Sequence, residues 1–144
     1  MIFFLIDKMI YPIEIIKNRI NKEYLKKFLD KPFKGVIKFV VDVEREIIAF
    51  GGELHSDAQE LLIDDGSDAR NLWGGNLFFP KNGKKTIIEY SALINIKPSR
   101  NSFSMDIKNK KIIEKIDKIF KKIIIDPVRK AESQKETTKK YFSG

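Results

Sequence analysis

The densest run of side chains capable of chemistry is Gly51-Gly52-Glu53-Leu54-His55-Ser56-Asp57, which leads into a segment carrying Glu60, Asp64 and Asp65. His55 is the only imidazole in 144 residues, and there is no cysteine. Ser56 followed by Gln59 has the spacing of a capping box. With Ser56 as N-cap, the positive end of a helix lies beside His55 and favours a neutral ring that acts as base or ligand. Alternatively, Glu53, His55 and Asp57 hold a divalent cation through one nitrogen and several oxygens, with water completing the shell. The plainer reading of the same residues is a structural histidine, hydrogen-bonded next to a flexible double-glycine turn. Other chemistries fall away. One histidine cannot build a multi-histidine metal site, and without cysteine there is no thiolate nucleophile, disulfide framework or Cys-ligated cluster.

Two further groups have the composition of binding surfaces. Trp73, next to Gly74, Gly75 and Asn76, can wall a pocket for a ring or base, or it is a core residue whose glycines let backbones pack closely. Asn95-Ile96-Lys97-Pro98-Ser99-Arg100-Asn101-Ser102 places two cations, two amides and two hydroxyls in one loop, a set suited to an anion or a phosphate backbone. No glycine-rich phosphate loop of either common pattern occurs, so no nucleotide cofactor is indicated; a divalent metal is the only cofactor the residues suggest.

Elements must hold these groups in place. Asn21 caps a helix with Tyr24, Leu25, Phe28 and Leu29 on one face, ending before Pro32. A short strand is expected over residues 13–16. Ile37, Phe39, Val41 and Val43 alternate with Lys38 and Asp42, the period of a half-buried strand, and residues 47–50 form the next one. A short helix over residues 57–65 ends at Gly66, a strand covers 72–79, and Asn82-Gly83 turns a hairpin. The clearest strand spans 86–97, with Ile88, Tyr90, Ala92, Ile94 and Ile96 on one face and Pro98 ending it. Ile112, Ile116, Ile119, Phe120 and Ile123 then repeat with the period of a core-facing helix, and Lys111, Lys115, Lys118 and Lys122 form a row opposite.

The net charge of +8 is unevenly distributed. Residues 42–68 carry nine acids against Arg45 alone, while 108–126 carry seven lysines against three acids. Such an acidic block repels phosphate, so bulk charge does not make this a nucleic-acid binder, although the C-terminal helix is basic enough to contact one. No apolar run reaches the roughly 18 residues that cross a bilayer. The apolar start over residues 1–6 lacks a basic flank and a cleavage site, so the expected location is the cytoplasm, with no membrane role.

The pattern implies an α+β fold: a small, mainly antiparallel sheet of four or five strands covered by an N-terminal and a long C-terminal helix, with the short acidic helix between the hairpins. One domain over residues 1–126 suffices, and 127–144, poor in apolar residues, reads as a disordered basic tail. Taken together, Val40-Val41-Asp42-Val43-Glu44, Gly51-Gly52-Glu53-Leu54-His55-Ser56-Asp57-Ala58, Leu72-Trp73-Gly74 and Ile94-Asn95-Ile96-Lys97-Pro98 resemble a family of short prokaryotic proteins of unknown function, over about residues 12–125. That resemblance implies one small domain and a bacterial or archaeal source, and it brings no catalytic residues.

The leading functional expectation is a non-catalytic binding or regulatory module that uses the acidic central block and the basic C-terminal helix, with a second copy or a small regulatory protein as partner. The alternative is a small hydrolase or nuclease centred on His55, Glu53 and Asp57, with Arg100 holding an anionic substrate. The enzyme requires these four around one cleft. For the binding reading, Trp73, Asn76, Asn95, Lys97, Arg100 and Asn101 are the contact residues.

Overall fold

The computed structural model describes residues 11–81, 85–125 and 140–142. An antiparallel sheet holds β1 (Ile13–Ile16), β4 (Ile47–Gly51), β3 (Val36–Asp42), β5 (Leu72–Phe78) and β6 (Thr86–Glu89) in that spatial order, and β8 (Lys140–Phe142) extends it at the β6 edge. The two-residue strands β2 (Ile20–Asn21) and β7 (Ile124–Ile125) pair in parallel, apart from this sheet. Helix α1 (His55–Asp64) lies on one face of the sheet, and α2 (Lys110–Ile123) on the other, together with the 3₁₀ helix Lys22–Phe28. The fold is α+β, as the pattern of elements implies.

Two apolar clusters follow from the alternation of side chains across each strand. Phe39, Val41, Phe50 and Leu77 pack toward α2 with Ile116, Ile119 and Phe120, and the Phe39 and Phe120 rings meet edge to face at 4.9 Å. Val40, Ala49 and Leu72 pack toward Ala58 and Leu62 of α1. β3 therefore reads as the unbroken run Phe39-Val40-Val41 because it is buried on both faces.

Capping agrees with the sequence in part. The Asn21 side chain accepts from the Tyr24 N–H at 2.9 Å, but the turn it starts is 3₁₀ rather than α. Gly66 closes α1 as expected: the Gly66 N–H bonds to the Ile63 carbonyl and the Ser67 N–H to the Leu62 carbonyl, the two bonds of a Schellman end. Ser56 is not the N-cap. Gly51 and Gly52, at φ of 105° and 87°, turn the chain sharply enough that α1 begins at His55, after Leu54, with no side-chain cap. His55 itself is thus the first helical residue.

The strand expected over 86–97 stops at Glu89. β6 pairs with β5 only from Asn76 to Phe78, and farther along β5 the side chain of Asn95 takes over the role of a strand. Its amide accepts from the Gly74 N–H at 2.8 Å and donates to the Gly74 carbonyl at 3.0 Å and to the Met105 carbonyl at 2.9 Å. With those groups satisfied, residues 90–107 form an arm closed on itself, Tyr90 bonding to Ile107 and Ala92 to Met105. The set Ile88, Tyr90, Ala92, Ile94 and Ile96 does not share a face: Ile88 and Tyr90 join the α2 cluster, Ile94 joins the α1 cluster and Ile96 is exposed. The tail expected to be disordered contributes β8, whose Tyr141 stands in register with Ile87; residues 1–10, the Asn-Gly turn at 82–84 and residues 126–139 lie outside the described residues.

Candidate functional site

β5 divides the expected site residues between its two faces. On the α1 face, the His55 ring enters beside Gly74, where an added Cβ would come within 3.1 Å of the imidazole and 2.8 Å of Ala92. Gly74 is therefore a close-packing device for His55 and Ala92, whereas Gly75 makes room for the Phe39 ring and the Glu89 carbonyl. His55 Nε2 lies 2.7 Å from the Gly75 carbonyl, so it carries the proton and donates. Burial holds its pKa below the ordinary value, aided by Lys38 and opposed by Gly75, Asn76 and Glu89. Lys38, Asn76 and Glu89 stand side by side on β3, β5 and β6. Asn76 donates to Glu89 at 2.9 Å, and its Oδ1 has no partner among the described residues, nor has Gln59 Oε1, one turn along α1 from His55.

The enzymatic constellation does not form. Glu53 is exposed, Asp57 lies beyond the helix start, and no group of three or more His, Asp or Glu side chains among the described residues is placed to hold a metal ion. Arg100 binds the Arg70 carbonyl at 2.8 Å, before the start of β5, while His55 sits at Gly75, so about 13 Å of chain separates the two anchor points. Asn95 is a buried brace whose amide is taken by backbone groups, so it is not a contact residue.

On the α2 face lies a hollow of about 590 Å³ between the arm and the start of α2. Trp73, Arg100 and Asn101 line it, joined by Ser102, Phe103, Lys108 and Asn109. Trp73 is 3% exposed, and its indole nitrogen has no hydrogen-bond partner among the described residues. Lys97 stands behind this wall: its ammonium lies 5.3 Å over the Trp73 ring and bonds to the Ile94 carbonyl. Burial and the nearby Arg100 lower its pKa. The tip of the arm is fixed by reciprocal backbone bonds between Lys97 and Ser102, with Asn101 left-handed at φ 57°. Phe103, Lys108 and Asn109 lie outside the contact set that the sequence suggests. The signal was present, since Lys108, Lys110 and Lys111 crowd the positive end of a helix, against the ordinary charge preference.

The acidic block and the basic helix meet within the molecule. In the β3–β4 turn, Glu46 pairs with Lys122 at 2.6 Å and Glu44 with Lys115 at 3.9 Å, and Asp65 is held by Arg45 and Lys17. The Lys122 ammonium lowers the Glu46 pKa. Part of the charge that looked available to a partner is therefore neutralised at home.

No helix among the described residues is long and apolar enough to cross a membrane. No curated protein matches the chain, and neither does any solved structure. One family model covers residues 14–123, which is most of the chain and every residue of the two faces described above, and the chain accordingly belongs to the family described as a protein of unknown function, DUF5674.

Proposed function

We propose that the protein is a non-catalytic binding module that docks a partner protein on the arm of residues 90–107. One observation carries this reading. Leu93 and Phe103 are 68% and 69% exposed, and Ile96 and Met105 are exposed beside them, although the arm is braced by the buried Asn95 amide. Exposed apolar side chains held on a rigid frame have the makings of an interface core, since they lose little entropy on docking. Arg100 and Lys108 border them, which favours a partner whose apolar patch is ringed by acids. A purely charge-based contact between acidic block and basic helix has less support, because Glu44 and Glu46 already have lysine partners. The hydrolase alternative has none of the required convergence. A chain free of cysteine suits a reducing cytoplasm, and the resemblance of its motifs favours a prokaryotic source.

The test uses the full chain and the double variant Leu93→Asp, Ile96→Asp. Both sites are exposed, so the thermal midpoint stays put while the surface changes. A protein retained by the wild-type chain, purified and titrated back by calorimetry, should bind the variant at least about tenfold more weakly. Equal affinity for both forms overturns the arm as the docking face. Sedimentation of the wild-type chain alone identifies a second copy as the partner if the complex forms without addition, and binding that the variant preserves but Lys118→Glu abolishes would assign the contact to α2.

A further inference from the structure

We infer that the partner of the arm is a second copy of this chain, whose α1 docks an outer stripe of leucines and aspartates against Phe103, Arg100 and Lys108 at the hollow beside α2. The inference rests on the docking reading of the arm and supplies the occupant. Ten large apolar side chains stand exposed among the described residues; four belong to the arm, and three, Leu54, Leu61 and Ile63, belong to α1 and its N-cap. Apolar exposure is thus concentrated on two surfaces rather than scattered singly, and concentrated patches are the ones that mark interfaces.

The two surfaces carry opposite charge. Leu54, Asp57, Leu61 and Asp64 follow one another at intervals of three, four and three residues, which sets them in one stripe along α1. Asp57, Asp64 and the neighbouring Glu53 have no ion pair among the described residues, unlike Asp65, which Arg45 and Lys17 hold. The hollow of about 590 Å³ is lined by Arg100, Lys108 and the exposed Phe103, with no carboxylate among the described residues that form it. Lys108 likewise has no ion pair among the described residues, and Asp68, the acid whose charge Arg100 feels, is already bonded by Arg70. Apolar side chains set among acids therefore match apolar side chains set among cations, the complementarity that steers association and fixes register. The two cannot meet within one chain. Ala58 and Leu62 of α1 pack on one face of the sheet, while Trp73, Ile107 and Ile112 of the hollow belong to the cluster on the other. The contact is between copies and runs head to tail, each copy offering α1 to one neighbour and its hollow to the next.

Sedimentation velocity of the full chain up to about 500 µM tests this, with self-association expected near about 50 µM at low salt and at least about fivefold weaker in about 0.5 M salt. Charge reversal makes the test specific. Asp57→Lys, Asp64→Lys should stay monomeric throughout, and so should Arg100→Glu, Lys108→Glu. Mixed in equal amounts, the two variants should associate again, because every contact between unlike copies then pairs opposite charges; that rescue also requires both to be folded. Lys31→Glu, Lys34→Glu lowers the net charge as much as the hollow variant does, but it lies at the far end of β5, where the Gly35 carbonyl accepts from the Phe79 N–H, and should associate as the parent does. A parent chain that stays monomeric at about 500 µM overturns the inference, and so does a mixture of the two variants that fails to associate. Association lost with Arg100→Glu, Lys108→Glu but kept with Asp57→Lys, Asp64→Lys overturns α1 as the occupant and leaves the docking reading standing. Association that Leu93→Asp, Ile96→Asp keeps at full strength overturns the docking reading, and this inference with it.

Discussion

Around His55 the groups left without partners are acceptors, Asn76 Oδ1 and Gln59 Oε1; around Trp73 the unpartnered group is a donor, its indole N–H, in a lining rich in others. The two regions lie on opposite faces of the same strand, and by residue type the His55 region is the more promising. It has the imidazole, the carboxylates and the amide that catalysis recruits. Yet its imidazole is bonded to the backbone, Glu53 and Asp57 form no metal-holding group with it, and its one lysine faces Glu89 across a single strand. The Trp73 region has the less reactive side chains but keeps a half-open hollow with cations and no carboxylate among the described residues that line it. What decides whether a polar cluster is a site is the set of groups the fold leaves unsatisfied and the space beside them, more than the chemistry its residues could perform.

The comparison breaks most sharply at Asn95, which holds the arm to Gly74 between the two regions. Asn95→Ala removes three hydrogen bonds of 2.8 to 3.0 Å and strands the Gly74 N–H and carbonyl inside the protein. The expected loss is about 3 kcal/mol, read by urea unfolding. Amides of residues 91–107 should also exchange faster with solvent than those of β3. A loss below about 1 kcal/mol would mean that β6 can lengthen and pair with β5 directly, as the alternation of residues 86–97 suggests on its own.

That alternation explains what was legible. Where burial is symmetric about an element, the sequence pattern dictates the outcome: the period of Ile112, Ile116 and Ile119 yields α2, and the runs over 36–42 and 47–51 yield β3 and β4. Where a side chain replaces backbone pairing, periodicity misleads. Ile88, Tyr90, Ala92 and Ile94 alternate perfectly, but nothing local announces that Asn95 will satisfy Gly74 and turn the chain from one face to the other. Likewise Trp73, Arg100 and Asn101 were identifiable as a binding group by type, whereas Asn76 and Asn95 were grouped with them only because an amide looks the same whether it braces or binds. The hollow needed Phe103, Lys108 and Asn109 from a different segment, and their position relative to Trp73 is a tertiary fact.

His55 gives the next largest effect. Replacing it with Ala removes the hydrogen bond to the Gly75 carbonyl and opens a gap beside Gly74, with an expected cost of about 2 kcal/mol. Its depressed pKa also sets a pH dependence. Because the folded state resists protonation more than the unfolded chain, the contribution is present above the ordinary value of 6.5 and is lost as pH falls through the lower folded value. The single imidazole makes the titration simple to follow by its ring C–H signals. A midpoint at or above 6.5 would show that the Gly75 carbonyl, Asn76 and Glu89 together outweigh burial and Lys38.

The smallest effect has the opposite sign. Lys111 lies in the first turn of α2, where its N–H is capped by Asn109 and its side chain is exposed. Exchanging it for Glu removes a cation from the positive end of the dipole and supplies the favoured charge, so Lys111→Glu should stabilise the protein by about 0.5 kcal/mol at low salt. The gain should shrink as salt is raised, because both charges face water. At the other end of the helix, Lys121 and Lys122 already have the preferred sign, and no such gain is available there. Stability lost instead would mean that Lys111 makes a contact the helix depends on, and that the charge reversal at this end has a structural origin.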